Sequence, residues 1–511
     1  MTLPPKRVNV FVYNNCSKDA RVLKEAASLT QAGFEVKIVA VLDNKTVPLE
    51  ERNGFEIHRI KRESLHVQVI NSTRKVFNLI QAILLFPIRF VVKLLLYVVR
   101  IAFWFKKADS DAVPREEGQL SRRGKMARIL RNPHYYSIKD YMKIFKSNTF
   151  GFERLATILL GLLGLPFYVI GRAIFKMFNG LQQWTFSAIK KALMPYHRKS
   201  VFEDYYKKAA LFCEEHPAQF LHFHDLHTLP IIDQLRFPQD VKMVYDSHEL
   251  YTEIHTLSTE QKKKYKGIES VKIHEVDHVI TVNKSIAKEL AERYNVSEPT
   301  IVMNCPPAML KVPAKSDLLR NRAGVSKDEL IILYQGGYST GRGLEELILS
   351  MQYVHKGVLV MMGWGQIEED LRALSRKHGL QEKVSFIPPA EQHEVLDYTC
   401  GADLGMIPYR AIGLNNYYTS PNKLFEYIQA YVPVAGSNFP ELERIVLGHS
   451  IGGLFDPDDP ESIGKCINEL LSDTSALAMM QKNVIEIAKL YSWEVEEQKL
   501  IAIYKKLEEE I

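Results

Sequence analysis

The sequence predicts an α/β protein of two doubly wound halves facing each other across a cleft, with an apolar and basic helical insertion in the first half. Three observations carry this reading. Short Val/Ile-rich runs of strand length alternate with helical stretches, the alternation starts afresh near residue 331, and two long apolar segments interrupt it between residues 66 and 215. A chain of 511 residues exceeds what one core organises and fits two domains plus an insertion. Hydrophobic residues at 46% and charged residues at 25% are the balance of a folded globular chain, which excludes a disordered one.

The opening segment reads as β-α-β. A strand over Val8–Tyr13 meets a polar turn, Asn14 to Lys18, and a helix follows with Val22, Ala26 and Leu29 on one face, ending at Gly33. The next strand, Val36–Val41, has the Val/Ile content of a buried parallel strand. Beyond the insertion come strands at Phe220–Phe223, Val241–Tyr245 and Val279–Val282. The second series runs through Ile331–Tyr334, Val358–Met362, Val384–Ile387 and Leu404–Ile407, and Pro306, Pro307 and Pro313 mark the linker between halves. The expected domains are therefore 1–65 with 216–308, the insertion 66–215, the second half 309–488, and a closing helix 489–511. Ligands in such sheets bind at the carboxyl ends of the strands.

The insertion holds two apolar segments, Val76–Phe105 and Leu155–Phe178, with Arg89, Lys93, Arg100, Arg172 and Lys176 set into them. Their longest uncharged runs, Val76–Ile88 and Leu155–Gly171, fall short of, or only just approach, the roughly 20 residues of a spanning helix. Residues 106–152 between them contain eleven Lys/Arg and five Asp/Glu, an excess equal to the net charge of +6 on the whole chain. Two spans would place this loop on the far side, against the positive-inside tendency. The expectation is two amphipathic or re-entrant helices on the cytoplasmic leaflet, with anionic membrane as partner. A helical subdomain buried in a dimer interface or against the first half is the alternative. The basic residues come without a nucleic-acid recognition module, so nucleic acid is not an expected partner. Cys16, Cys213, Cys305, Cys400 and Cys466 are scattered and odd in number, and the first apolar run is too short for a signal peptide. Both features point to a reducing compartment, and the cytoplasmic face of a membrane is the expected address.

The stretch from Leu333 to Leu344 carries the most chemistry. A buried strand runs into a turn with Gly336, Gly337, Gly341, Arg342 and Gly343, and a helix follows. Glycines let the backbone approach an anion, the helix start adds partial positive charge, and Arg342 would clamp a diphosphate bidentately. The spacing fits neither the P-loop nor the dinucleotide fingerprint, and such a turn is also common as plain structure. Ser420 reads as an N-cap and Pro421 as a first helical residue, which puts Glu426 on the polar side of a helix. Its carboxylate would take the two ribose hydroxyls in a fork, although an isolated glutamate there is also an ordinary surface residue. In the first half, His222-Phe223-His224-Asp225 ends one strand and Tyr245-Asp246-Ser247-His248-Glu249 the next, so their polar groups are expected at the cleft, as are Asp19 and Arg21 above the first strand. The His/Glu spacing matches no common zinc pattern, and no metal or other cofactor is expected.

Together these pieces resemble the retaining glycosyltransferases of family four, which have the GT-B fold of two Rossmann-like domains. The resemblance covers about 1–65 and 215–505 and leaves the insertion unplaced. Asp19-Ala20-Arg21-Val22-Leu23-Lys24-Glu25-Ala26 resembles the first-helix motif. His224-Asp225 with Asp246-Ser247-His248-Glu249 resembles a subgroup's "HD … DSHE" pattern, and Asn304-Cys305-Pro306-Pro307 the hinge. Gly363-Trp364-Gly365 and Ala402-Asp403-Leu404-Gly405 match two later strand motifs, and Trp493 to Tyr504 the helix that crosses back to the first half. Two departures stand out: the first of the family's two glutamates falls on Tyr418, with Glu426 matching the second, and the usual arginine of the phosphate loop is Gly337.

The resemblance implies transfer of a sugar from a UDP- or GDP-linked donor with retention at the anomeric carbon and without a metal. Gly336, Gly337 and Arg342 would stabilise the leaving diphosphate, Glu426 would bind the ribose, and Asn422 and Lys423 would lie near the phosphates. Gly363 and Gly365 complete the donor side. His224 would orient the donor sugar or the acceptor hydroxyl from the opposite half, where Asp19, Arg21, Asp225, Asp246 and Glu249 border the acceptor. The insertion implies an acceptor that is lipid-linked or delivered at the membrane surface. A catalytically inactive scaffold and a sugar-nucleotide epimerase are the alternative readings.

Overall fold

The computed structural model describes residues 6–104, 152–236, 241–309, 316–391 and 393–511; the basic loop 106–152, except for its last residue, and Pro313 of the linker lie outside the described residues. The chain divides into two compact units, Met1–Arg62 with Tyr205–Ile511, and Glu63–Asp204. The insertion thus ends some ten residues before the expected boundary. The reason is Tyr205: its ring is fully buried and its hydroxyl donates to the carbonyls of Val12 and Val39 at 3.1 and 2.9 Å, which ties the chain to the first sheet from that point on.

The larger unit holds two sheets. The first has strands β1 (Arg7–Phe11), β2 (Glu35–Val41), β3 (Leu49–Arg52), β4 (Phe55–Ile60), β5 (Phe220–His224), β6 (Lys242–Ser247), β7 (His278–Thr281) and β8 (Thr300–Ile301), in the order β3-β4-β2-β1-β5-β6-β7-β8. All its pairings are parallel except β3 with β4. The second has β9 (Ile331–Tyr338), β10 (Val358–Gly365), β11 (Val384–Ile387), β12 (Leu404–Ile407), β13 (Val434–Ser437) and β14 (Gly452–Phe455), all parallel, in the order β11-β10-β9-β12-β13-β14. Strand order reverses at β1/β5 and at β9/β12, so each sheet has its switch point beside the residues singled out above.

Helix α1 (Ala20–Gln31) buries Val22, Ala26 and Leu29 as its period requires, and the Asp19 carboxylate caps it by accepting from Val22 N at 3.3 Å. Gly33 follows with φ +96°, a left-handed stop that favours glycine. The hairpin β3–β4 turns at Asn53-Gly54, both with positive φ; that dipeptide between two strand-like runs is the signal by which the sequence discloses it.

The smaller unit contains helix α2 (Leu65–Trp104) and helix α3 (Phe152–Leu193). They run antiparallel: Phe77 packs against Phe178 and Phe186 with ring centroids 5.6 and 6.3 Å apart, and a Cβ at Gly171 would lie 3.4 Å from Ile88. Among the described residues no helix is long and apolar enough to cross a membrane.

Back in the larger unit, helix α4 (Asn422–Gln429) follows β12, and the last helix, α5 (Trp493–Glu509), returns to the first sheet. Trp493 Nε1 donates to Ser28 Oγ at 2.9 Å, the Tyr504 hydroxyl meets His222 Nδ1 at 2.7 Å, and Leu500, Ile503 and Tyr504 join the core under β1 and β5. The closing helix thus packs on the first half.

Candidate active site in the cleft

Between the halves of the larger unit lies a cavity of about 1660 Å³. Asp19, Arg21, His248 and Glu249 line it from the first half, and Gly336, Arg342, Asn422, Lys423 and Glu426 from the second. Gly337, Gly363, Gly365, His224, Asp225 and Asp246 do not line it.

The glycine turn begins later than expected. Strand β9 continues through Gly336 and Gly337 to Tyr338, paired with β10 as Gly336↔Gly363, Gly337↔Trp364 and Tyr338↔Gly365. A Cβ at Gly363 would sit 2.0 Å from the Gly336 carbonyl oxygen, and one at Gly365 1.9 Å from that of Tyr338. These two glycines therefore let the strands close, and the turn proper is Ser339 to Gly343. Gly336 alone of this group opens on the cavity, at φ +124°.

Helix α4 starts one residue later than its sequence suggests: Pro421 occupies the N-cap, and Ser420 Oγ instead accepts from Asn283 Nδ2 of the first half at 3.0 Å. The helix therefore turns Lys423 inward. Its ammonium is buried, has no hydrogen-bond partner among the described residues, and lies 3.7 Å from the Tyr334 ring centre and 5.1 Å from that of Tyr409. Arg342 stands over the same Tyr409 ring at 4.9 Å, donates to its hydroxyl, and donates through Nε to Ser339 Oγ at 3.0 Å. Burial first, and then the Arg342 charge, push the Lys423 ammonium well below its ordinary range, while Glu426 draws it the other way. Arg342 and the Lys423 amine thus share one aromatic box with no hydrogen-bonded carboxylate among the described residues, an arrangement that suits an anion.

Glu426 is not a surface residue. Gln335 Nε2 donates to Glu426 Oε2 at 2.5 Å, and Thr399 Oγ1 in turn donates to Gln335 Oε1 at 2.7 Å. Burial raises the Glu426 carboxyl above its usual value despite the Gln335 bond.

On the first half, the polar residues form a buried network. Arg21 donates to both oxygens of Asp246, Nε and Nη2 each at 2.8 Å, and through Nη1 to Val302 O at 2.6 Å. His224 is fully buried behind the cleft wall, its Nδ1 2.9 Å from His248 Nε2 and 3.2 Å from Asp246 Oδ2. Within this network His248 is the imidazole that lines the cavity; His255 and His393 line it from outside the network. Burial alone would lower His248, but Asp225 at 3.5 Å and Asp246 at 3.2 Å outweigh that and raise it to about 9, so it is charged at neutral pH. Burial raises Glu25 to about 8, with the Asp246 charge acting in the same direction. The sequence marked this cluster, but which imidazole faces the cleft depends on β5 ending flush in the sheet while β6 runs on into a loop.

The halves are tied across the cleft. Asn415 Nδ2 donates to Glu249 Oε2 and Leu250 N donates to Asn415 Oδ1, each at 2.9 Å, and Asn283 Nδ2 donates to the Tyr418 carbonyl at 2.7 Å. The Tyr418 side chain packs against the core of the first half, so the segment where the family's first glutamate falls is drawn toward the opposite wall. Gln335, Tyr334, Tyr409 and Asn415 were not singled out from sequence. Gln335 alone had a visible signal, its place between the apolar run Ile331–Tyr334 and Gly336.

Residues 315–487 match the family described as Glycosyl transferases group 1. An uncharacterized glycosyltransferase of Methanocaldococcus jannaschii is 25% identical over 49% of this chain and 65% of its own length. A D-inositol 3-phosphate glycosyltransferase of Xylanimonas cellulosilytica is 23% identical over 42% and 51%. The chain thus spans between about half and two thirds of the length of these relatives. Among solved structures, sucrose-phosphate synthase of Thermosynechococcus elongatus superposes with TM-score 0.60 at 15% identity, covering 99% of this chain and 100% of its own. HepE of Anabaena, in complex with UDP and glucose, superposes with TM-score 0.58 at 12% identity, covering 98% and 100%. These likenesses give the two-sheet GT-B fold, and residues 315–487 resemble the Glycosyl transferases group 1 family.

Proposed function

We propose that the protein transfers a sugar from a nucleoside-diphosphate sugar, with retention, to an acceptor that is lipid-linked or presented at a membrane surface. The observation that carries the donor side is the Lys423 ammonium, buried beside Arg342 in the wall of the cleft and without a hydrogen-bond partner among the described residues. A diphosphate is the anion that matches two converging cations on an aromatic floor, and charge building on it as the glycosidic bond breaks would be met by both. Glu426, oriented by Gln335, is set to take the ribose hydroxyls. The cavity exceeds the volume typical of a single small-ligand site, which leaves room for an acceptor against His248 and Asp19. In this reading the departing phosphate itself takes the proton of the acceptor hydroxyl on the same face as the new glycosidic bond forms. The reaction needs no metal in this reading. The UDP complexes of HepE support a uridine nucleotide as the first donor to try.

The test is incubation of the full chain with UDP- and GDP-sugars and a membrane lipid extract, with the product's anomeric configuration read by NMR. A glycolipid of the donor's configuration supports the proposal, and an inverted product contradicts retention. Nucleotide binding with no transfer to any lipid favours the second reading, a scaffold that has lost catalysis, for which Tyr418 packed into the opposite half is the specific observation.

A further inference from the structure

The pairing of α2 and α3 leaves two apolar stripes facing outward. On α2, Leu79, Ile83, Phe86, Phe90, Leu94 and Tyr97 recur at intervals of three and four residues, and each is more than half exposed. On α3, Ile170, Met177, Leu181 and Trp184 repeat the pattern, with Trp184 69% exposed. The seam between the helices uses other residues, Phe77, Leu85 and Ile88 against Gly171, Phe178 and Phe186, so the stripes are not leftovers of helix pairing. Patches this long on a surface mark an interaction site.

Charge says what covers them. Over residues 65–104 and 152–193 the chain carries five Lys/Arg in each helix against a single acid, Glu153. On α2, Lys75 and Lys93 lie on one helical row beside the stripe; on α3, Arg172, Lys176 and Lys190 form a row on the polar side, away from the stripe. The described members Lys75, Lys93, Arg172, Lys176 and Lys190 are exposed. An apolar stripe flanked by cations that reach outward is what a helix lying in a lipid interface presents. A second copy of the same surface would bring these like charges together.

We propose that the α2–α3 hairpin lies flat in one leaflet of an anionic bilayer, with Leu79 to Tyr97 and Ile170 to Trp184 among the acyl chains and the basic rows at the headgroups. This deepens the membrane-surface reading above and rests on it for its purpose, but it stands on the hairpin alone. Pro87 and Pro166 lie inside the two helices and each interrupts the hydrogen-bond ladder, and among the described residues neither helix is long and apolar enough to cross a membrane.

The test is flotation of the full chain with phosphatidylcholine vesicles and with vesicles containing phosphatidylglycerol. Binding should be at least about tenfold stronger to the anionic vesicles and weaken with salt. Phe86→Glu with Trp184→Glu, at exposed positions that leave the seam intact, should abolish flotation. Lys93→Glu with Lys176→Glu should remove the anionic preference. Equal binding to both vesicles, or flotation unchanged by Phe86→Glu with Trp184→Glu, overturns the proposal, as does a detergent-free dimer that never floats. Nucleotide protection measured on the same samples separates this outcome from a failure of the donor reading.

Discussion

The Lys423 ammonium rests 3.7 Å above the Tyr334 ring with no hydrogen-bond acceptor among the described residues, while a Cβ at the neighbouring Gly336 would lie 3.4 Å from it. A buried cation held this way costs stability in the free protein and gives it back when an anion arrives. Lys423→Met should therefore weaken nucleoside diphosphate binding by about 1.5–3 kcal/mol, roughly ten- to hundredfold, and leave the melting temperature of the free protein unchanged or higher. Calorimetric titration and thermal unfolding read the two effects separately.

The same residue gives a pH dependence. Because its folded value lies well below the ordinary 10.5, the unfolded chain binds more protons between the two, and this residue's contribution to stability rises with pH across that window. Diphosphate binding reverses the situation and takes up a proton, so affinity should fall as pH rises through it. Titrations in buffers of different ionisation enthalpy should show proton uptake in the wild type and less in Lys423→Met.

His248 acts in the opposite sense. Held at about 9 rather than 6.5, it stabilises the fold fully below pH 6.5, and that stabilisation is lost as pH rises through 9. His248→Gln should flatten this part of the stability profile, and denaturant unfolding at pH 6 and at pH 9.5 measures it.

Gly363→Ala and Gly365→Ala place a methyl within 2.0 Å of the β9 carbonyls and cannot be relieved by a flexible neighbour. Each should cost about 2–4 kcal/mol, seen as a lower denaturant midpoint, whether or not a donor is present.

Asn415→Ala removes two hydrogen bonds between the halves and should raise KM and lower kcat together, since closure rather than a single contact is weakened. Steady-state kinetics with the donor found below tests this.

The β-α-β opening, the second strand series and the returning helix were legible because buried parallel strands and amphipathic helices write their period into the chain. Strands β11 and β12 fall at the residues expected. The site was legible only as a neighbourhood. That Gly363 and Gly365 serve strand closure, that His224 lies behind His248, and that Lys423 turns into an aromatic box follow from how β9 pairs with β10 and from a one-residue shift in the start of α4. None of these is a local property. The stripes on α2 and α3 are a like case: the sequence shows apolar helices, but only their pairing shows which faces are left over.

The central claim is that Arg342 and Lys423 bind the diphosphate of a nucleotide sugar. Protection of the full chain against thermal unfolding by UDP, GDP, ADP and their sugars tests it most directly. One base should raise the melting temperature in proportion to the logarithm of its concentration, and Arg342→Ala and Lys423→Met should each lose most of that shift. No shift with any nucleotide, or an equal shift in both variants, would contradict the account.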